Sequence, residues 1–195
     1  MKILLQAGVD EAGRGCLAGP VVAAAVLWSE EYRVKGLTDS KVLSHRQREN
    51  LREQLEALLP AGHWAIGSAS PAEIDEVNIL QATYLAMHRA IGQLKPIPEL
   101  LLVDGNRFKP YNGIEHRCEV KGDARFQAIS AASIFAKTER DRIMASLHAE
   151  HPNYGWDRNK GYPSLGHREA LERHGPCAWH RRSFAWKPSQ LRLEL

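Results

Sequence analysis

The sequence predicts an α/β fold: a mixed β-sheet flanked by helices, with a small helical part at the C-terminal end. Three observations lead there. Short runs rich in valine, alanine and leucine, at residues 3–9, 21–27 and 100–103, have the length and apolarity of buried strands. Two S-x-x-(Q/E) capping boxes, at Ser44/Gln47 and Ser70/Glu73, open stretches with helical periodicity. Finally, strand-like segments at both ends of the series follow one another directly, so strict strand–helix alternation, the mark of a purely parallel sheet, is absent.

Taken in order, residues 3–9 form a strand that runs into Asp10. Gly19-Pro20 leads to a second strand at 21–27, and the turn between the two suits antiparallel neighbours. After the Ser44 box, Leu51, Leu55, Leu58 and Leu59 recur at helical spacing until Pro60-Ala61-Gly62 stops the helix. Residues 63–68 alternate as a short third strand. The Ser70 box, with Pro71 at the first helical position, begins a helix expected to reach about residue 93. Residues 99–103 read as a strand ending on Asp104, and 116–120 as a fifth strand before Gly122-Asp123. A long helix over 126–149 carries small residues on one face. A last helix over 163–174 is closed by Gly175-Pro176. The domain core is expected at about 1–150, the helical, basic and aromatic part at about 151–188, and a tail at 189–195.

Composition narrows the function classes. A chain of 195 residues with 44% hydrophobic and 25% charged residues is of single-domain size with a proper core. The net charge of +3 by itself specifies no partner. Cys16, Cys118 and Cys177 are widely spaced without a C-x-x-C pair, which points to reduced thiols in a cytoplasm rather than disulfides or a zinc site. The N-terminal apolar run is too short for a secretory signal, and nothing approaches the ~18 apolar residues of a membrane span. Small size without a heptad pattern points to a monomer.

The chemistry lies in the carboxylates. Asp10, Glu11, Asp104 and Asp123 each fall at or just past the C-terminal end of an expected strand, the edge where sites form in open α/β sheets. On a regular strand Asp10 and Glu11 point to opposite faces, so one shared site requires the strand to end or bulge there. Crowded carboxylates in a low-dielectric cleft hold protons unless a cation neutralises them. All-oxygen donors suit magnesium or manganese, and a pair of such ions can hydrolyse a phosphodiester. Any one of the four acids could instead be a cap or a turn residue.

Basic and aromatic residues concentrate late. Between residues 151 and 188 there are seven Lys/Arg against three Asp/Glu, interleaved with Tyr154, Trp156, Tyr162, Trp179, Phe184 and Trp186. Such a mixture suits a nucleic-acid backbone with its sugars and bases; the alternative is that the tryptophans are core and the charges solvated. The Gly13-Arg14-Gly15 turn lets backbone amides approach a ligand closely.

These residues resemble bacterial ribonuclease HII, the type 2 ribonuclease H. The motifs follow the family's order along almost the whole chain: DEAGRG at 10–15, LAGPVVAAAV at 17–26, LTDSK at 37–41, EID at 73–75, NIL at 78–80, DGN at 104–106, VKGD at 120–123, SAASIFAK at 130–137, RDR at 140–142, KGY at 160–162 and HRRSF at 180–184. The resemblance implies a ribonuclease-H-like fold. It implies an endonuclease that cuts the RNA strand of RNA–DNA hybrids and beside single ribonucleotides embedded in duplex DNA, leaving 3′-hydroxyl and 5′-phosphate ends. It further implies two divalent ions, manganese or magnesium, held by Asp10, Glu11, Asp104 and Asp123. Asp10 would bridge them, Glu11 and Asp104 would hold the ion near the leaving oxygen, and Asp123 the one that activates water. Gly13, Arg14 and Gly15 would contact the ribose 2′-hydroxyl, Tyr162 would pack on the neighbouring sugar, and Lys41 and Asn78 would lie near backbone phosphates.

The sequence departs from the family pattern at Cys16, where proline is usual, at Pro163, where glycine is common, and at Thr138-Glu139 before the RDR motif. Asp141 in that motif reads as structural. The Gln190-Leu191-Arg192-Leu193-Glu194-Leu195 tail, lying beyond the last motif, is similar to short peptides that dock on sliding clamps, or is a frayed end. Two other classes compete. A hybrid-binding module that had lost its metals would lack the acids, all four of which are present. A metal nuclease with another substrate, such as a junction resolvase or transposase domain, would not be expected to carry the GRG and KGY motifs together.

Overall fold

The structure is a computed structural model and describes residues 5–37, 40 and 42–185. Lys41 and the 190–195 tail, both singled out above, lie outside the described residues. A five-stranded sheet in the order β3-β2-β1-β4-β5 forms the centre. Strands β1 (Gln6–Ala12), β2 (Val21–Trp28) and β3 (Trp64–Ala69) are antiparallel neighbours, while β4 (Leu100–Asp104) and β5 (Glu115–Glu119) add in parallel beside β1. The sheet is mixed, as expected.

Helices cover both faces. Helix α2 (Pro71–Ile91) packs its Ala82, Ala86, Met87 and Ala90 against Ala7, Val9, Val21 and Ala23. On the other face α1 (His45–Leu58) and α3 (Gln127–Glu150) bury Leu51, Leu55, Ile134 and Phe135 against Ala24 and Val26. Small residues set the spacing. A Cβ on Gly8 would lie 2.1 Å from the carbonyl carbon of Ala128, so α3 rests directly on the β1 backbone. Both expected capping boxes form, at Ser44/Gln47 and Ser70/Glu73.

Several expectations need correction. Strand β1 runs through the acid pair and stops at Ala12; its register stays regular, with Asp10 opposite Ala24 and Glu11 opposite Ala23. The physical reason is that Val22 in β2 still offers a partner to Ala12, and the left-handed turn comes only at Gly13 (φ +92°). Helix α2 is broken at Asn78 (φ 68°, ψ 163°), whose Oδ1 accepts the amides of Leu80 and Gln81 and so caps the second half. The last helix, α5, begins at Leu165 because Ser164, not Pro163, is its N-cap.

Beyond α3 the chain forms a 3₁₀ turn (Pro152–Tyr154), the short α4 (Trp156–Asn159) and α5 (Leu165–His174). Two of the late aromatics proved to be core: Trp156 is wholly buried and Tyr154 nearly so, packed with Leu17, Ala18, Met144 and Leu171. They do not face a ligand. Of the aromatics proposed for nucleic acid, Tyr162 stands out as half exposed.

Candidate active site

The acids assemble at the C-terminal edge of β1 and β4. Val9 pairs with Val103, so the next residues along, Asp10 and Asp104, stand side by side. Strand periodicity sends the acid pair to opposite faces. Asp10 turns toward α3, where it bonds Ser133, while its Oδ1 accepts the Glu11 amide at 2.7 Å. Glu11 turns toward α2 and lines a cleft of about 260 Å3 with Arg14, Thr83, Tyr84, Asp104 and Arg107. Asp104 is therefore the neighbour common to both. No bulge is needed to unite the pair, because both stand within two residues of the strand end.

Electrostatics record this crowding. The Asp10 carboxyl, almost fully buried, is pushed up to about 8, first by desolvation and then by the charges of Glu11 and, less strongly, Asp104. Arg14 partly offsets the charge, its guanidinium 3.3 Å from the Glu11 carboxylate. Asp104 is held from below: its Oδ1 accepts the Gly122 amide at 2.8 Å, which ties β4 to the 3₁₀ turn carrying Asp123. Asp123 is buried, and its carbonyl accepts the Ser130 hydroxyl at the start of α3. Among the described residues no three His, Cys, Asp or Glu side chains are already closed into a metal-binding group. The donors nonetheless fit a hard divalent cation: they are carboxylate oxygens, and a cation would offset the burial and repulsion that hold a proton on Asp10.

On the α3 side of Gly13 opens a second, larger cleft of about 540 Å3, lined by Gly13, Ser40, Arg48, Lys137, Arg140, Asp141, Arg158, Lys160 and Tyr162. Here the GRG turn meets the KGY motif. A polar relay links this cleft to the acids: Lys137 donates to Ser40 and Ser133, the two hydroxyls are 2.7 Å apart, and Ser133 bonds Asp10. Asp141, which lines this cleft, has its carboxylate 3.5 Å from both Arg48 and His45 at the rim. Tyr162 is fixed through its backbone. A carbonyl can only accept, so His167 donates Nδ1–H to the Tyr162 carbonyl (2.9 Å), leaving Nε2 to accept the Trp156 indole N–H (3.0 Å). Burial pushes the Tyr162 phenol up and the His167 imidazole down, so both stay neutral near pH 7.

The structure thus brings Asp10, Glu11 and Asp104 together, sets Asp123 on the adjoining turn, and places Gly13 and Tyr162 in one cleft. Arg14 lines the acid cleft instead, Gly15 is exposed with open space around its Cβ position, and Asn78 serves as an exposed cap at the α2 break. Sequence reasoning missed Ser133, Lys137 and two buried arginines, Arg140 and Arg181. Their motifs, SAASIFAK, RDR and HRRSF, were visible; the i, i+4 spacing of Ser133 and Lys137 on one helix was the available signal.

A mixed sheet with carboxylates at its C-terminal edge and a cationic cleft alongside defines a protein of the ribonuclease-H-like nuclease class. The ribonuclease HII family model matches residues 7–187. Ribonuclease HII of Parabacteroides distasonis is 54% identical over 189 residues, covering 97% of this chain and 94% of the relative. Among solved structures, the complex of PCNA and ribonuclease HII from Archaeoglobus fulgidus contains a chain matching with TM-score 0.80 at 30% identity, covering 94% of this chain and 96% of that one. Ribonuclease H2 of Pyrococcus horikoshii matches with TM-score 0.76 at 30% identity, covering 92% and 93%. The chain belongs to the ribonuclease HII family. It is a metal-dependent endoribonuclease acting on RNA–DNA hybrids and embedded ribonucleotides. Among the described residues no helix is long and apolar enough to cross a membrane.

Proposed function

We propose that the acid edge and the cationic cleft act as one site, cutting the strand that carries the ribonucleotide on its 5′ side. The observation that carries this is the single edge of β1. Asp10 and Glu11 reach the acid cluster from it, and Gly13 follows two residues later in the cleft with Tyr162. Asp10, Glu11, Asp104 and Asp123 would hold two divalent cations, magnesium or manganese. When bound, these supply positive charge to the scissile phosphate and an activated water. The bond from phosphorus to the upstream 3′ oxygen breaks as water adds, giving a 3′-hydroxyl and a 5′-phosphate. The chain's own groups do the placing. Lys137, Arg158 and Lys160 attract the backbone phosphates. The amides of the Gly13–Gly15 turn and the side chain of Arg14 read the 2′-hydroxyl. The exposed ring of Tyr162 packs on the next sugar.

The test is cleavage of labelled duplex DNA containing one ribonucleotide, with and without divalent metal, the ends mapped to the nucleotide. We expect a metal-dependent cut on the 5′ side of the ribonucleotide; a cut elsewhere, or in chelator, refutes this assignment. The substrate lies in a bacterial cytoplasm, and the thiols of Cys16, Cys118 and Cys177, all unpaired, suit such a compartment. We further propose that the enzyme works as a monomer and that residues 190–195 dock on the sliding clamp, a reading supported by the PCNA complex of the Archaeoglobus relative. A 188–195 peptide should bind the host clamp saturably in fluorescence polarisation. No binding at tens of micromolar ends that reading.

A further inference from the structure

Arg140 is buried to 2% exposure; among the described residues no carboxylate pairs with it, and its hydrogen bonds go to backbone carbonyls. Nε donates to Pro20 (3.1 Å), Nη2 to Ala18 (3.1 Å) and Nη1 to Lys160 (2.8 Å). The first two acceptors belong to the loop that follows the GRG turn; the third is two residues before Tyr162. The same guanidinium lies 5.8 Å from the centre of the Tyr162 ring. It also fills the space beside Gly13, where a Cβ would come within 1.9 Å of Nε. The Cys16 thiol points at the same Lys160 carbonyl, at 3.7 Å. The two segments are also stitched together directly, Leu17 N–H donating to the Gly161 carbonyl at 2.8 Å.

We infer that Arg140 is a positioning residue for discrimination: its planar fork sets the separation between the Gly13 turn and the Tyr162 ring, so that the 2′-hydroxyl and the adjoining sugar are gauged together. This rests on the roles proposed above for Gly13–Gly15 and Tyr162. A point charge cannot do the same. Lysine keeps the cation but loses the rigid multi-donor geometry that reaches both loops. A single hydrogen bond to the 2′-hydroxyl contributes only about 1 kcal/mol. Selectivity must therefore come from geometry at the reacting phosphate, where a displacement of about 1 Å can cost on the order of a hundredfold in rate.

The experiment is a double-mutant cycle of Arg140→Lys and Tyr162→Ala under single-turnover conditions, on a duplex with one ribonucleotide and on a long RNA–DNA hybrid. Affinity is measured in calcium and folding by thermal melts. Arg140→Lys is expected to slow cutting at the single ribonucleotide by at least about tenfold, with hybrid cutting slowed severalfold less. In the Tyr162→Ala background the same change should cost less than about threefold, because the ring it gauges is gone. Equal losses on both substrates, additivity of the two changes, or no loss with lysine would overturn the inference. If Tyr162→Ala alone affects both substrates equally, it is the reading of Tyr162 that fails, and the inference about Arg140 with it. A second measurement needs no change at Arg140. Its Nε–H resonance should shift in the Tyr162→Ala protein, whose altered side chain is half exposed, and an unmoved resonance counts against the coupling.

Discussion

Asp104→Asn separates a metal ligand from a structural cap. The amide is nearly isosteric with the carboxylate, and its Oδ1 can still accept the Gly122 amide that Asp104 receives at 2.8 Å. What disappears is one negative charge beside the buried Asp10, whose carboxyl the charges of Glu11 and Asp104 help to raise to about 8. Losing one like charge from such a cluster is worth on the order of 1 kcal/mol, the free energy of about one pKa unit. In a domain of this size that is a rise in Tm of about 2–4 °C. Activity should move the other way. Removing a charged ligand from the groups that hold the transition-state charge costs at least about a hundredfold, near 3 kcal/mol. The assay pairs thermal melts in EDTA with single-turnover cleavage of a one-ribonucleotide duplex at saturating magnesium. Wild-type turnover would show that Asp104 is no ligand. A drop in Tm of several degrees would show that its charge is needed to hold the Gly122 turn.

Tyr162→Ala should slow cutting at a single ribonucleotide more than cutting in a long hybrid, which offers many registers, with little change in affinity because phosphate contacts dominate it; single-turnover rates on the two substrates decide. Gly8→Ala forces a methyl to within 2.1 Å of the Ala128 backbone, which cannot swing aside as a side chain would. A loss of at least about 2 kcal/mol, or roughly 5 °C or more in Tm, is expected from calorimetry. Asp10 binds its proton more tightly folded (about 8) than in the unfolded chain (3.8). Its contribution therefore favours folding below pH 4 and is lost as the pH rises through 8. In EDTA the Asp10→Asn protein should accordingly gain Tm over wild type as pH rises from 5 to 8, and a difference that stays constant would show Asp10 titrating as an ordinary carboxylate.

Much of the fold was legible because its signals are local. The capping boxes at Ser44 and Ser70 satisfy amides three residues away, so their spacing along the chain is their geometry. Three of the acids could be found together for a similar reason: Asp10, Glu11 and Asp104 fall where a hydrophobic run gives out, and parallel pairing of β1 with β4 then makes two of those ends neighbours, whereas Asp123 follows the polar β5. The break of α2 at Asn78 was hidden because Asn78 sits inside a continuous helical pattern, and only the observed φ of 68° reveals a cap. For Trp156 and Tyr154 the choice between core and ligand face stayed open, because a sequence pattern cannot say which aromatics are covered; Leu17, far off in the chain, and Met144 cover them.

The sequence by itself determined the individual strands, the helices that start at their caps, and the set of carboxylates at strand ends, since each depends on residues within a few positions of one another. It also carried enough ordered motifs to indicate the family. Tertiary structure alone decided that β1 continues through Asp10 and Glu11, sending them to opposite faces with Asp104 beside both. It alone joined Gly13 to Tyr162 through the guanidinium of Arg140, 127 residues from the first and 22 from the second, whose partners are backbone carbonyls on two loops. A carbonyl is present at every residue, so no pattern of side chains marks which ones a buried arginine will find.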